Sequence, residues 1–511
     1  EYTWVLPAHL DEGGLSIKSD KNIFKKDGKI KSYPRDHQYD IDLFAAETAF
    51  SLSEILSLLE DSLTDHLCFR VREEIYKRVF RPYTELNNIF HWEQLAMNWA
   101  AVCSGSIGAA AIYLIDESRV LANILQRVLN TMEVFINGFP EDGTCQEGLG
   151  YWNYGFGFYT YFAELLKERT AGQLDLMENP KIKEIALFQQ KCYITGDKVI
   201  SFSDSPRKVK FHAGLSSRLN NIYPDFKLPD IEFRAGFNDD KCYRWPHIIR
   251  DLVWFTPEAY KKENQINKRS IYYLKDSQWL IYKKGEKEGE IVFAAKGGHN
   301  DEPHNHNDIG SFLYHVGITT FLTDLGSGQY TRDYFGSERY TVLCNGSQGH
   351  SLPIIEGVYQ QDGSNFSANV CTFEITEKGV NYILDITGAY NNENLKSLFR
   401  RYFIGSKDNK LIIQDSYKFN KKPVSITERF ISLIEPRLIQ KGKLKIPGNN
   451  NYLVITFNDQ KLEYSCSKEY HLNHNGGKET VYLLDFAVRN TLIEDIIEFG
   501  LIPVFKQKKD K

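Results

Sequence analysis

Residues 303–324 read Pro-His-Asn-His-Asn-Asp-Ile-Gly-Ser-Phe-Leu-Tyr-His-Val-Gly-Ile-Thr-Thr-Phe-Leu-Thr-Asp. The stretch passes from a polar cluster into β-branched and aromatic residues broken by a glycine, the pattern of consecutive antiparallel strands. On a strand, His304 and His306 at i and i+2 point to one side, so both can serve one site. Asp324 closes the second apolar run. Imidazole with imidazole or carboxylate is the usual ligand set for zinc. A lone His is usually packing, but two His, two Asn and one Asp in six residues favour a site. His350, in Gly349-His350-Ser351-Leu352, is a further candidate.

Working outward, similar alternation covers residues 270–284, 290–296, 368–376, 379–386, 398–404 and 410–419. Turn signals such as Ser-Lys-Asp-Asn-Lys (406–410) and Pro-Gly-Asn-Asn-Asn (447–451) separate many of these runs. This predicts an antiparallel β-sheet domain of stacked sheets over 241–511. Upstream the period changes. Residues 43–63, 98–114, 119–136, 151–167 and 181–195 carry the i, i+3/i+4 stripe of helices, joined by short polar or Gly/Pro-bearing turns. Several are apolar on more than one face, which points to a helical ring or layered array over 1–240 rather than a plain four-helix bundle.

Composition narrows the function classes. With 511 residues, two domains are the natural expectation, and 42% hydrophobic with 25% charged residues excludes a disordered chain. The 62 Lys and Arg against 67 Asp and Glu leave a formal charge of −5, so no global basic field exists to hold nucleic acid. No run of 18 apolar residues occurs, so no membrane span is expected. The eight Cys are spread without a C-x-x-C, against a zinc ribbon or a disulfide scaffold, and read mostly as small buried hydrophobes. Asn345-Gly-Ser and Asn365-Phe-Ser fit the glycosylation pattern, though short matches of this kind are mostly accidental. The first residues, EYTWVLPAHL, lack a basic lead and apolar core, so no signal peptide is read there. The missing initiator Met reads as a trimmed chain. A removed export signal would place the protein in a periplasm or outside the cell, with a cytoplasmic location still open. Residues 506–511 are a solvated charge run. The 30 Tyr and 32 Phe are the unusual counts.

Two segments of the helical half carry polar residues in suggestive order. Gly143-Thr-Cys-Gln-Glu147-Gly-Leu-Gly-Tyr151-Trp152 leads into an aromatic helix, and Glu147 and Tyr151 would share a face if that turn is helical. His91-Trp-Glu-Gln-Leu-Ala-Met-Asn98-Trp99 opens another helix with His91 and Asn98 two turns apart.

These segments, in this order, resemble the heparinase II/III-like polysaccharide lyases. The matching pieces are Asn98-Trp99, Glu147-Gly148 with Tyr151 (53 positions after Asn98), and His304-x-His306-x-Asp308 with Gly310-Ser311-Phe312. Phe321-Leu-Thr-Asp324-Leu-Gly326, Tyr330, Arg339 and His350-Ser351 follow. The resemblance implies an N-terminal (α/α) toroid, with an incomplete ring left open, followed by an antiparallel β-sandwich domain. It further implies β-elimination on a uronic-acid-containing polysaccharide. The C5 proton of a uronate is too weakly acidic to remove unless charge developing on the carboxylate is neutralised. By resemblance Asn98 neutralises that carboxylate. Tyr151 takes the acid role and can take the base role, and His304 is the partner base or carboxylate binder. His91, Glu147, Trp152, Tyr330 and Arg339 are expected to bind substrate. His306, Asp324 and His350 match the family's metal site, where zinc is structural.

A glycosaminoglycan such as hyaluronan, chondroitin or heparan sulfate is the first-choice substrate, with alginate or another polyuronate second. Less favoured alternatives are a metal-dependent hydrolase using the His-x-His pair and a non-catalytic carbohydrate-binding protein. A polyanion needs local positive charge, for which Arg332, Arg339, Arg400 and Arg401 are candidates. Tyr154, Tyr159, Tyr330 and Tyr334 are candidate cleft-lining residues. The partner is then an anionic polysaccharide, with a homodimer left open.

Overall fold

The computed structural model describes residues 41–85, 89–260, 268–287 and 289–506. The N-terminal decapeptide and nearly all of the charged tail read above lie outside these residues.

Local chemistry starts the helices. The Asp42 carboxylate accepts from Ala45 N at 2.8 Å to cap α1 (Leu43–Leu59), and Thr64 caps α2 (Asp65–Ile75). Then follow α3 (Asn98–Leu114), α4 (Ser118–Asn137), α5 (Leu149–Arg169), α6 (Pro180–Cys192), α7 (Ala213–Ile222) and α8 (Trp245–Val253). Helix α3 packs against both α1 and α4. Its Ala, Gly and Ser residues are buried without a break from Ala100 to Ala111, as a helix enclosed by neighbours requires. By contrast α4 buries one stripe, Leu121, Ile124, Val128, Met132 and Phe135. The helix expected to reach Thr195 ends at Cys192, because Tyr193–Thr195 turns back to pair with Lys198–Val199.

Among the described residues the β half contains three larger antiparallel sheets, besides a two-stranded pairing of His299–Asn300 with Gly363–Ser367. One has five strands in the order Arg269–Leu274, Trp279–Glu286, Gly289–Lys296, Phe312–Val316 and Thr319–Leu322. The largest has eight, with Gly379–Asp385, Leu395–Gly405, Leu411–Phe419 and Glu494–Phe505 side by side near its centre. The third has four: Leu462–Leu472, Lys478–Val488, Ile426–Ser432 and Pro353–Ile355. Inner-face residues Tyr282, Phe293 and Tyr314, in register across three strands, share one core with Tyr382, Tyr402 and Ile413 of the large sheet. That is the expected sandwich packing.

Contacts divide the chain into two units. One takes residues up to Cys145, then Tyr151–Phe188 and Lys210–Lys261; the other takes Gln146–Gly150, Gln189–Val209 and Lys262 onward. A single cut after residue 240 does not describe this division. Two short pieces of the helical half belong with the β-sheets, and the helical unit runs on past 240 to include α8.

Candidate active site

His304 and His306 do not lie on a strand. They sit in the loop between the two-residue strand His299–Asn300 and Phe312–Val316, and His304 has a left-handed backbone, φ +56°, which a non-glycine residue adopts only under constraint. The expected convergence of the two rings is real, but tertiary contacts produce it rather than strand alternation. His304 Nδ1 lies 2.6 Å from Asp204 Oδ2, and His306 Nε2 lies 2.9 Å from Asp204 Oδ1. Tyr334 donates its hydroxyl to Asp204, Tyr330 does so at 3.4 Å, and the Arg339 guanidinium stands 3.6 Å away.

Asp204 is therefore the hub of the cluster, wholly buried and 100 and 102 positions upstream of the two histidines it holds. Burial opposes its charge, yet the hydrogen bonds from His304 and His306 outweigh that and hold its carboxyl well below the usual range. Sequence reasoning missed it. Its only local sign is a carboxylate inside the turn-forming run Phe202-Ser-Asp-Ser-Pro206.

The other ring nitrogen of His304, Nε2, lies 3.3 Å from Glu147 Oε2. Burial lowers the His304 pKa, but Asp204 and then Glu147 reverse the sign and raise it. Glu147 does not share a helical turn with Tyr151, because α5 begins only at Leu149; it belongs to the short piece that packs with the β-sheets.

The loop is pinned from several sides. Lys296, fully buried, meets Glu302 at 3.0 Å and Asp308 at 2.8 Å. The Gln360 amide pairs with both backbone groups of Ile309. Gly310 holds φ +84° with Ile386 Cδ1 3.1 Å from where a Cβ would stand, so this turn requires glycine. Its carbonyl accepts from Arg400 and Tyr402.

Arg339 spends its guanidinium on the carbonyls of Asn305 and Tyr334, so it shapes the loop from within. Arg400 is not a cleft residue: it is fully buried, paired with Asp415 and Glu428 in the sandwich core. Arg401 hydrogen-bonds Asn381 on the neighbouring strand.

Fit to a metal can be tested on the donor atoms. Asp308, Asp324 and His350 bring ligand atoms within 4.8 Å of one another, all buried. His350 turns Nδ1 to Asp324 at 3.1 Å and Nε2 to the Cys344 carbonyl at 2.9 Å, so both nitrogens face acceptors. His306 Nδ1 and Asp308 Oδ2 are buried without a hydrogen-bond partner, and the His306 and His350 rings are 5.6 Å apart. Such orphaned buried donors fit a cation held by nitrogen and oxygen. The expected trio of His306, Asp324 and His350 thus has a fourth neighbour, Asp308, which belongs to the tightest group while His306 does not.

On the helical unit Asn98 is the first residue of α3 and is buried; it is not the cap, which is Met97. A Cβ on Gly155 would stand 3.1 Å from Asn98 Cβ, so the start of α3 crosses α5 one turn beyond Tyr151, on the face that Tyr151 shares. His91 is not on the Asn98 helix. It lies in a separate 3₁₀ turn, His91–Gln94, divided from α3 by extended residues at 95 and 97, although its ring meets Trp99 at 5.7 Å.

Trp152 is core and not cleft, fully buried with Nε1 donating to the Ile185 carbonyl. Tyr159 is also internal, and Tyr154, bonded to Glu47 under Arg244, is half-buried. The Asn345 glycosylation match is likewise fully buried. A cavity of about 760 Å³ lies elsewhere on the helical unit, bordered by Arg72, Tyr76, Tyr83, Asp116 and Arg127, and holds none of the expected residues.

Comparison with solved structures identifies the fold. The chain superimposes on heparan sulfate lyase HepC from Pedobacter heparinus with a TM-score of 0.62 at 12% identity, covering 92% of this chain and 69% of that one. A heparinase III gene product with methylated lysines gives 0.66 at 12%, covering 91% and 67%. Another heparinase III structure gives 0.59 at 13%, covering 94% and 80%. The chain has the heparinase III fold. No protein-family profile and no curated protein sequence matches it. In the heparinase III fold, as the sequence implied, a helical toroid-type region precedes an antiparallel β-sandwich. No helix among the described residues is long and apolar enough to cross a membrane.

Proposed function

We propose that this protein is a polysaccharide lyase that cleaves a uronic-acid-containing polysaccharide by β-elimination. The observation that carries the reading is His304, fixed with one ring nitrogen on buried Asp204 and the other toward Glu147, in a chain of heparinase III fold. Carboxylates facing both ring nitrogens favour the protonated imidazole, and a fixed positive charge beside the cluster suits an anionic group. This favours His304 as the group that neutralises the uronate carboxylate, together with the Asn98 amide, over His304 as the base.

The base role then falls to Tyr151. Its oxygen accepts the C5 proton while its own proton passes to the leaving glycosidic oxygen. The C5–H electron pair becomes the C4–C5 double bond as the C4–O bond breaks, and Tyr151 ends as it began. Charge developing on the carboxylate during proton removal is what the fixed donors stabilise. Tyr330 and Glu147, both in contact with the cluster, are assigned to substrate, and Arg339 to holding the loop that carries His304.

A structural zinc on His306, Asp324 and His350, with Asp308 beside them, would tie the loop to the strands behind it; no step of the elimination passes through it. A glycosaminoglycan is the favoured substrate class, with alginate second.

Tyr151→Phe tests the mechanism. The phenylalanine protein should bind the polymer with little change and form no product above about a thousandth of the normal rate. A near-normal rate removes Tyr151 from the mechanism.

A further inference from the structure

Beside His304 the β unit carries an aromatic strip that the elimination chemistry does not use. Phe335 sits edge-on to the His304 ring at 6.3 Å. Tyr330 meets Phe335 at 4.9 Å and 71°, and His474 meets Tyr330 at 4.7 Å and 90°. His474–Tyr330–Phe335–His304 is thus a continuous chain of rings drawn from three separate loops. Single exposed apolar residues need no explanation. Here, however, Phe335 is 45% exposed and His474 is exposed as well, while the rings between and behind them are fixed.

That fixation is specific. His474 lies in the tip of the hairpin joining Leu462–Leu472 to Lys478–Val488, and the tip is stitched to the Tyr330 segment. Gln329 N donates to the Leu472 carbonyl at 3.0 Å, and Gly328 bridges Asn473. The hairpin is held lower down by the Arg207–Glu479 ion pair and by Asn473 on Glu479 at 3.1 Å. The Tyr330 hydroxyl reaches Asp204, the carboxylate that orients His304. One buried anion therefore sets both the imidazole and the strip. Arg332, three residues before Phe335, is exposed, with the exposed Asp333 carboxylate beside it.

Exposed rings held on fixed segments match the chemistry of a sugar, whose C–H face stacks on an aromatic ring. Resting on the lyase reading above, we propose that Phe335, Tyr330 and His474 form a sugar-stacking subsite that holds the pyranose ring next to the uronate bound at His304. Phe335 and His474 are its exposed contacts. They make the enzyme prefer chains longer than a disaccharide.

The test uses the full-length Tyr151→Phe protein, so that ligand survives the titration. Hyaluronan, chondroitin, heparan sulfate and alginate oligosaccharides of two and six sugars are titrated calorimetrically, alone and with Phe335→Ala, His474→Ala or Phe335→Tyr added. The hexasaccharide that binds best should bind about three- to tenfold more weakly to Phe335→Ala and to His474→Ala. Its disaccharide should show no such loss, and Phe335→Tyr should restore binding. Equal hexasaccharide affinity in all four proteins overturns the subsite, as does failure of the parent protein to bind any of these chains. Unchanged melting temperatures for the two alanine proteins exclude a folding effect. Double-bond formation by the unaltered enzyme is scored separately, so loss of the lyase reading and loss of the subsite are distinct results.

Discussion

His304 combines a left-handed backbone, φ +56°, with an imidazole clamped between Asp204 and Glu147, so its ring is held from both sides. If it serves as a donor to the uronate carboxylate, an amide should replace it in part. His304→Gln is expected to retain clearly more turnover than His304→Ala, which should lose about a hundred- to thousandfold in kcat, the scale for removing one preorganised donor. Steady-state rates of the two variants decide the matter, and equal loss would make His304 the base. At this scale the sequence was legible where chemistry is dense and local. The His-x-His-x-Asp run announces itself by composition. Asp204 does not, because a single aspartate in a Ser/Pro turn looks like any surface turn until the fold buries it. Trp152 and Arg400 misled for the converse reason: residue type suggests sugar or anion binding, and burial in the interior assigns them to packing.

The elements that present these side chains depend on a few buried polar ties. Arg400 pairs with Asp415 on the neighbouring strand of the large sheet, reaches Glu428 of the four-stranded sheet and also donates to the Gly310 and Ser351 carbonyls, so one side chain links the sandwich core to the turn after the histidine loop and to the residue beside His350. Arg400→Met should cost about 3–5 kcal/mol, because two buried carboxylates lose their counter-charge, and lower Tm by about ten degrees. A shift under two degrees would show the network is dispensable. The Asp308, Asp324 and His350 group predicts a second stabilising tie. Metal analysis should find one zinc per chain, and stripping it with a strong chelator should lower Tm by several degrees; protein free of zinc with an unchanged Tm would reject the site. Several helix and strand positions were readable from period, most plainly α4, which buries one stripe; α7, α8 and the strands beyond residue 420 were not read. The loop geometry between 300 and 311 was not, because polar residues there follow tertiary partners such as Lys296 and Gln360 rather than a repeat.

Across the whole molecule, the division of the chain explains why a single boundary was the natural reading and yet incomplete. Period changes once along the sequence, but Gln146–Gly150, too short to show a period, and Gln189–Val209, mostly turns and irregular backbone, pack with the β-sheets and deliver Glu147 and Asp204 to the histidine loop. A formal charge of −5 gives no long-range attraction for the proposed polyanion, so its recognition would have to rest on local positive charge. Weak salt dependence of binding relative to a basic protein follows from this. The central claim is elimination at a uronate. Hyaluronan, chondroitin, heparan sulfate and alginate are each incubated with the protein and followed by ultraviolet absorbance, with product sizing. The account predicts rising absorbance from a new C4–C5 double bond on at least one polymer, abolished in Tyr151→Phe; no absorbance change on any of them, or shortened chains without a double bond, would contradict it.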